Sequence, residues 1–168
     1  MPKKIKAIIF DWGDTLMRDF PELPGPMYLW EKNVLVEDVG ELLYAISGKY
    51  KLCVATNAGD SNTESMIKAL ERVNIAHYFQ YSFSSNDLGY KKPDVKFFTS
   101  ICKHIGVLPE NCVMIGNLYD KDIIGAKDAG MMTVFFNEKE LIGDFEKADH
   151  IVFRMEEINE ILLPFVDQ

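Results

Sequence analysis

Cysteine is scarce in this sequence, and it has neither a long apolar run nor an excess of basic charge. Its three cysteines form no C-x-x-C pair, which excludes a disulfide-rich secreted scaffold and favours three buried thiols in a reducing cytoplasm. No apolar stretch approaches the roughly 18 residues that a membrane span needs. The apolar run at 7–10 ends at Asp11 and is too short for a signal peptide. We therefore expect a cytoplasmic protein without a membrane partner.

The charge balance is acidic, and the size suits one domain. The sequence has 18 Lys and Arg against 26 Asp and Glu, a formal net charge of -8. Such a surface repels DNA and RNA, so non-specific nucleic-acid binding is not expected, although local basic residues can still hold a small anion. With 168 residues, 48% of them hydrophobic, the chain can bury one core. We predict a single domain over 1–168.

Short apolar runs alternate with helical patterns, which is typical of βα units around a parallel sheet. The predicted strands are 5–10, 52–55, 81–83, 113–115, 133–136 and 151–153. The predicted helices lie near 42–47, 61–73, 93–105, 122–129 and 155–163, the second opened by a capping box of Ser61 and Glu64. This pattern predicts a Rossmann-like, three-layer α/β/α sandwich with a mainly parallel sheet and no large cap domain.

The segment 18–34 interrupts this alternation. Pro21, Pro24 and Pro26 break helices and central strands alike, so we predict a structured loop or small flap. A loop of this length in a compact domain is usually functional. Tyr28 and Trp30 follow the prolines and either contact a substrate at the rim or plug the edge of the core.

Polar residues follow four of the predicted strands, where ligands bind in parallel α/β sheets. Asp11 follows the first, Thr56 the second, Lys92 the third, and Asn117 and Asp122 the fourth. Clustered carboxylates favour Mg²⁺, which takes hard oxygen ligands together with phosphate and water. A hydroxyl and a lysine suit phosphoryl oxygens, and a carboxylate can attack phosphorus. These residues therefore indicate phosphoryl transfer.

The order of these segments resembles the haloacid dehalogenase-like (HAD) superfamily, whose members are mostly Mg²⁺-dependent phosphatases. The resemblance extends from Lys6 to about Leu162. Each motif alone is weak, but their ordered combination is specific. The matching motifs are Asp11…Thr15-Leu16, Thr56-Asn57, Lys92-Pro93-Asp94 and Gly116-Asn117…Asp122-x-x-Gly125-Ala126.

The resemblance implies a role for each residue that meets the phosphoryl group. Asp11 would be the nucleophile that forms an aspartyl-phosphate. Thr56 would hydrogen-bond the phosphoryl oxygens, with help from the backbone of Asn57. Lys92 would neutralise charge on the phosphoryl group and orient Asp11.

The resemblance also implies a Mg²⁺ site. Asp11 and the backbone carbonyl of Gly13 would be ligands, and Asn117 and Asp122 would complete the shell directly or through water. The family usually has aspartate where this chain has Asn117, so the lost negative charge should lower the affinity for metal, and Asp120 or Asp122 can compensate.

A second departure concerns the general acid. The family's phosphatases carry a second aspartate two residues after the nucleophile, where this chain has Gly13. Asp14 lies one place later and is the candidate substitute, although such an offset turns a side chain away. Losing a general acid costs about 10²–10⁴-fold in rate. We therefore expect either slow turnover or a good leaving group, such as an acyl or aryl phosphate.

The same two departures, at Gly13 and Asn117, leave other interpretations of the function open. Phosphonate hydrolases and dehalogenases of this superfamily also lack the second aspartate, but they use a lysine or an arginine from a cap. Here Arg18 and Lys32 are the basic candidates in the flap, which disfavours both chemistries. The open site suits a small phosphorylated substrate, a phosphorylated macromolecule, or cover by a second subunit, with Arg18, Tyr28 and Trp30 as the substrate-binding rim. The alternative is a weakened scaffold that binds phosphate ligands or proteins.

Overall fold

The computed structural model describes residues 3–166, and its centre is a six-stranded sheet. All five neighbouring strand pairs are parallel, and the strand order is β3-β2-β1-β4-β5-β6. The strands are β1 (Ala7–Phe10), β2 (Lys51–Thr56), β3 (Tyr81–Ser84), β4 (Cys112–Gly116), β5 (Met132–Phe136) and β6 (His150–Val152). The predicted parallel sheet is confirmed, with boundaries shifted by one or two residues.

Two apolar cores lie on opposite faces of the sheet. Within β1, Ile8 and Phe10 belong to one core, and Ala7 and Ile9 belong to the other, because successive strand residues point to opposite faces. The helices are α1 (Val39–Ile46), α2 (Thr63–Arg72), α3 (Ser85–Leu88), α4 (Val95–Ile105), α5 (Ile124–Asp128) and α6 (Glu156–Leu162). The first core packs against α1, α2 and α6, and the second against α4 and α5. The three-layer α/β/α prediction is therefore confirmed.

The strand order places a crevice at the carboxyl ends of β1 and β4. The chain moves from β1 outward to β2 and β3, and then returns to β4 on the other side of β1. Ligands of open α/β sheets bind at such a reversal of strand order. Asp11 follows β1 and Asn117 follows β4, so both lie at this crevice.

Two predictions about helix starts are wrong in detail. Asn62 caps α2 by accepting a hydrogen bond from the backbone N–H of Ser65, while Ser61 accepts one from the N–H of Met27 and so joins α2 to the flap. The helix predicted from 122 instead opens with a π-helical turn, Tyr119–Ile123. The wider turn coincides with the burial of Asp122 beneath the loop that follows β4.

The flap, 18–34, forms a folded loop with a single short 3₁₀ turn, Met27–Leu29. The backbone N–H of Arg18 donates to Val34 at 2.8 Å, and this bond closes the base of the loop. Trp30 Nε1 lies 3.1 Å from the carbonyl oxygens of both Pro24 and Gly25. The prediction of a structured loop is confirmed. Across residues 3–166, no helix has the length and apolar character needed to cross a membrane.

Candidate active site

Asp11 presents a buried carboxylate whose two oxygens have separate partners. The residue is 6% exposed, and its backbone N–H donates to Ile115 at 2.9 Å, which ties the loop after β1 to β4. Lys92 Nζ donates to Asp11 Oδ1 at 2.7 Å, and Thr15 Oγ1 donates to Oδ2 at 3.1 Å. The carboxylate is therefore held in one orientation before any ligand arrives.

Lys92 is the cation of the site and is almost completely buried. Its ammonium group donates to Asp11 Oδ1 and Asp122 Oδ1 at 2.7 Å each, and to the carbonyl oxygen of Ala55 at 3.1 Å. Burial alone would lower the pKa of Lys92, but the charges of Asp11 and Asp122 outweigh it and raise the pKa above the ordinary value. The lysine therefore stays charged, and its three N–H groups all have acceptors.

Asp122 holds the lysine from the far side. It is fully buried, and its second oxygen, Oδ2, accepts a hydrogen bond from the backbone N–H of Leu118 at 3.0 Å. Burial and, second, the charge of Asp11 raise the pKa of Asp122 to about 6, against the lowering effect of Lys92. Its contacts are with Lys92 and the β4 loop, and its role as a metal ligand stays a prediction.

Gly125 lets α5 approach the lysine loop. A Cβ at this position would lie 2.3 Å from the carbonyl oxygen of Pro93 and 2.5 Å from the ring of Phe98. Only glycine permits this approach, so the helix after β4 packs directly against the segment that carries Lys92.

Asn57 joins the loop after β2 to the lysine segment. Its side-chain nitrogen donates to the carbonyl oxygen of Lys92 at 3.1 Å, and its side-chain oxygen accepts from the Lys92 N–H at 2.8 Å. Next to it, Thr56 is 7% exposed, and its hydroxyl donates to the carbonyl oxygen of Asn57 at 3.2 Å. The side chain of Asn57 thus positions the lysine, and the Thr56 hydroxyl can turn toward a phosphoryl oxygen.

Three residues after β1 and β4 offer oxygens that fit a Mg²⁺ ion. The side-chain amide atom of Asn117 that faces Asp11 lies 2.9 Å from Asp11 Oδ2 and 3.2 Å from the Gly13 carbonyl oxygen. An amide nitrogen in this place donates to both oxygens. An amide oxygen there would lie 2.9 and 3.2 Å from these two oxygens, which is close to the distance of about 2.9 Å between adjacent corners of an octahedron with Mg–O bonds of about 2.0–2.1 Å. The donor set therefore fits magnesium.

This oxygen set carries little negative charge. Within residues 3–166, no group of three or more His, Cys, Asp or Glu side chains is placed to hold a metal ion. The set described above contains one carboxylate, one backbone carbonyl and one amide. Mg²⁺ commonly binds through one or two carboxylates, with phosphate and water as its other ligands.

The sequence pattern of the haloacid dehalogenase-like hydrolases matches residues 18–130, which is more than half of the chain. The chain belongs to this family. It is 33% identical over 156 residues to the glyceraldehyde 3-phosphate phosphatase of Methanothermobacter thermautotrophicus, an alignment that covers 82% of this chain and 68% of the relative. It is 29% identical over 121 residues to the human N-acylneuraminate-9-phosphatase, covering 68% of this chain and 48% of that protein.

Solved structures of this family share the fold of the chain. A HAD-hydrolase from Bacillus subtilis, solved bound to magnesium, superposes with a TM-score of 0.80 at 18% identity, over 95% of this chain and 99% of that one. This likeness confirms the α/β architecture of the HAD-like hydrolase described above.

The acidic residues that follow Asp11 in this HAD-like hydrolase face two different cavities. Asp14 lines a cavity of about 100 Å³ together with Asn117. Its carboxylate accepts a hydrogen bond from the backbone N–H of Asp19 at 3.0 Å. Asp19 lines a larger cavity, of about 260 Å³, with Gly13 and Thr56. Partial burial and the charge of Asp14 raise the pKa of Asp19.

The predicted rim residues do not all line the same cavity. Trp30 lines the larger cavity, whereas Arg18 lines the smaller one, where its guanidinium pairs with both carboxylate oxygens of Glu138 at 2.6 Å. Tyr28 lines neither cavity as described, and it packs against the core with the ammonium of Lys68 5.1 Å from its ring. The core-edge interpretation therefore describes the position of Tyr28, and substrate contacts by Arg18, Tyr28 and Trp30 stay predictions.

Sequence reasoning missed two residues at this site. Thr15 is part of the first motif, but the motif alone does not predict its hydrogen bond to Asp11; a hydroxyl four residues after Asp11 was the available signal. Asp19 gave no signal in the sequence, because only the fold of the flap brings it opposite Gly13.

Proposed function

We propose that this HAD-like hydrolase is a Mg²⁺-dependent phosphatase that forms an aspartyl-phosphate on Asp11. The observation that carries the proposal is that the two oxygens of the Asp11 carboxylate have different partners. One oxygen is held by the buried ammonium of Lys92, and the other lies 2.9 Å from the Asn117 amide, which is itself 3.2 Å from the Gly13 carbonyl oxygen. The phosphatase names of curated relatives support the same chemistry.

The chain's own groups suit each part of this reaction. Asp11 attacks the phosphorus, and its electron pair forms the new P–O bond as the ester oxygen departs with the old one. Lys92 keeps Asp11 ionised and oriented, and it offsets negative charge on the phosphoryl group. Thr56 turns its hydroxyl toward a phosphoryl oxygen. Water then attacks the same phosphorus and releases Asp11.

Asp11, Gly13 and Asn117 would hold the Mg²⁺ ion, with Asp122 as a further candidate directly or through water. When bound, the ion supplies positive charge that neutralises the phosphoryl oxygens. Thr15 keeps one Asp11 oxygen on this side of the site through its hydroxyl.

The substrates that we propose are small phosphomonoesters or acyl phosphates. The relatives named above are phosphatases of glyceraldehyde 3-phosphate and of N-acylneuraminate 9-phosphate, both small phosphorylated compounds. The cavity of about 260 Å³ beside Gly13 and Thr56 can hold a leaving group of a few carbon atoms. Because the chain spans only 48–68% of these two relatives, this substrate class is a proposal.

The decisive test is Mg²⁺-dependent release of phosphate from acetyl phosphate, p-nitrophenyl phosphate and glyceraldehyde 3-phosphate. We expect the wild type to turn over at least one of them, EDTA to stop turnover, and Asp11→Asn to lower kcat by at least about 10³-fold. Asp60→Asn makes the same charge change on an exposed residue of the same cavity and should keep activity within a few-fold.

Turnover that persists in Asp11→Asn would contradict the proposal. A wild type that binds phosphate ligands without turnover would favour the alternative, a binding module on this scaffold. That alternative is favoured by Gly13, which supplies no carboxylate, and by the uncharged Asn117. If Gly13→Asp then revived activity, the site would be a phosphoryl site that lacks one proton donor.

A further inference from the structure

Asp19 brings a carboxylate into the larger cavity from the flap. The cavity of about 260 Å³ is lined by Asp19 together with Trp12, Gly13, Thr56 and Asn57. Trp12 and Gly13 directly follow the nucleophile, and the other two form the loop after β2. A leaving group that extends from a phosphoryl group on Asp11 into this cavity would therefore meet the side chain of Asp19.

The carboxyl group of Asp19 covers the bare face of Gly13. A Cβ built on Gly13 would lie 3.6 Å from Asp19 Cβ, 3.9 Å from its Cγ and 4.0 Å from its Oδ2. These are ordinary contact distances, so the Asp19 side chain lies directly against the place that a side chain at position 13 would take. This is the position that an acid–base aspartate would occupy in the phosphatases that the motifs resemble. We propose that Asp19 is the acid–base catalytic residue of this hydrolase and replaces the side chain that Gly13 lacks.

The backbone around Asp19 is held on both sides. The Asp14 carboxylate accepts the Asp19 N–H at 3.0 Å. On one flank, Arg18 makes its two-bond ion pair with Glu138. On the other, the ring of Phe20 packs against Trp30 with centroids 6.1 Å apart. The side chain thus projects from a fixed point of the flap, which reduces the entropy lost in positioning it.

Asp14 is committed to this support. It adopts a left-handed backbone conformation, with φ of 56°, and its N–H donates to the Met17 carbonyl oxygen at 2.6 Å. An aspartate tolerates this conformation better than most residues. Its carboxylate points to the Asp19 backbone and lines the smaller cavity. Asp14 is therefore a positioning residue for Asp19.

The inference rests on the proposed phosphatase chemistry, in which Asp19 gives up one proton and takes one back. In the first step the P–O bond to the leaving group breaks, its electron pair goes to the leaving oxygen, and the Asp19 carboxyl proton transfers to that oxygen. The alcohol departs and Asp19 is left as a carboxylate. In the second step Asp19 takes a proton from water as the water oxygen bonds to phosphorus. The P–O bond to Asp11 breaks, its electrons return to Asp11, and phosphate leaves.

The test compares leaving groups, because an acid matters most where the leaving alkoxide is most basic. We would measure kcat/KM with Mg²⁺ for glycerol 3-phosphate and glyceraldehyde 3-phosphate, which release alcohols, and for p-nitrophenyl phosphate, which releases a weakly basic phenolate. Asp19→Asn should lower kcat/KM for the alcohol phosphates by about 10²–10⁴-fold and for p-nitrophenyl phosphate by less than tenfold. The matched control is Asp144→Asn, the same charge change on an exposed residue outside this cavity, which should show no selective loss.

A second variant separates catalysis from structure. In the double variant Gly13→Asp with Asp19→Ala, the shortened side chain at position 19 leaves room for the new carboxylate. We expect kcat/KM for the alcohol phosphates to be at least tenfold higher than in Asp19→Ala alone. Equal losses of kcat/KM for both substrate types in Asp19→Asn would mean a structural role for Asp19 and overturn the inference. So would a selective loss in Asp14→Asn together with an unaffected Asp19→Asn, or a wild type active only on aryl and acyl phosphates. A wild type without any phosphatase activity would instead overturn the proposed function itself.

Discussion

The two sides of Asp11 are built in opposite ways. On the inner side, Lys92 and Asp122 are both buried. The ammonium nitrogen of Lys92 and both carboxylate oxygens of Asp122 have partners within hydrogen-bonding distance. On the outer side, Asp14 precedes the flap and Asp19 lies on it, and each lines an open cavity. The difference teaches that the Asp11 carboxylate is held by buried charges on its inner side, whereas the carboxylates of the outer side depend on partly exposed contacts that cost less to break.

The largest effect on the inner side is expected from removing the buried ammonium group of Lys92. Lys92→Met leaves Asp11 and Asp122 buried side by side without their counter-charge, and breaking such a buried arrangement costs about 3–5 kcal/mol. We expect the free energy of unfolding, measured with urea, to fall by about this amount, and turnover to be lost. Lys91→Met removes an exposed charge next to it and should change stability by less than about 0.5 kcal/mol. Similar stabilities for both variants would contradict the assignment of a strongly coupled inner side.

The sequence was sufficient to predict that the strand-end residues meet at one edge of the sheet, although it assigned Asp122 to the metal shell and not to the ion pair with Lys92. Thr56 ends β2, Asp11 and Asn117 directly follow β1 and β4, and parallel strands bring their carboxyl ends together at one edge. Lys92 could be placed by its motif before α4. The sheet and both layers of helices followed from apolar runs that alternate with helical patterns.

The outer side could not be predicted in the same way. Asp19 lies six positions after Gly13, and no periodicity relates a loop residue to a strand end. Its place depends on hydrogen bonds within the folded flap, including the one from its own N–H to Asp14. The capping prediction at Ser61 failed for a related reason, because the flap residue Met27 occupies the Ser61 hydroxyl and leaves Asn62 to cap the helix.

A smaller disturbance of the inner side comes from Gly116. A Cβ there would lie 2.3 Å from Asp122 Oδ2 and 2.4 Å from its Cγ, so Gly116→Ala must displace the carboxyl group that holds Lys92. Overpacking of this kind costs about 1–3 kcal/mol. We expect a loss of that size in urea unfolding, together with at least a tenfold loss of kcat. Gly40→Ala, where a Cβ meets nothing within 4 Å, should be neutral or stabilising, and equal effects in the two variants would count against the packing argument.

The metal side of Asp11 can be sharpened by adding charge. Asn117→Asp would place a second carboxylate about 2.9 Å from Asp11 Oδ2, which favours a divalent cation and disfavours the metal-free protein. We expect a lower Tm in EDTA than the wild type has, and a Kd for Mg²⁺ about tenfold or more below the wild-type value in Mg²⁺ titrations of Tm. Asn159→Asp adds the same charge on an exposed position of α6 and should change neither quantity. An unchanged Mg²⁺ affinity in Asn117→Asp would argue against Asn117 as a ligand.

The smallest expected effect belongs to the ion pair that anchors the outer side. Arg18 and Glu138 make two short hydrogen bonds, but both side chains are partly exposed, at 29% and 37%. Exposed pairs typically contribute less than about 1 kcal/mol. Arg18→Ala and Glu138→Ala should each lower the free energy of unfolding by less than that, with a coupling in the double variant of about 0.5 kcal/mol.

The activity of the Arg18 and Glu138 variants then distinguishes an anchor from a substrate contact. An anchor predicts that the two single variants lose kcat/KM for alcohol phosphates equally, by less than tenfold, because either substitution frees the same point of the flap. A substrate contact by Arg18 predicts that KM rises in Arg18→Ala alone, because the negative charge of Glu138 does not attract a phosphate. Equal, small losses would show that the outer side of Asp11 tolerates loosening that its inner side does not.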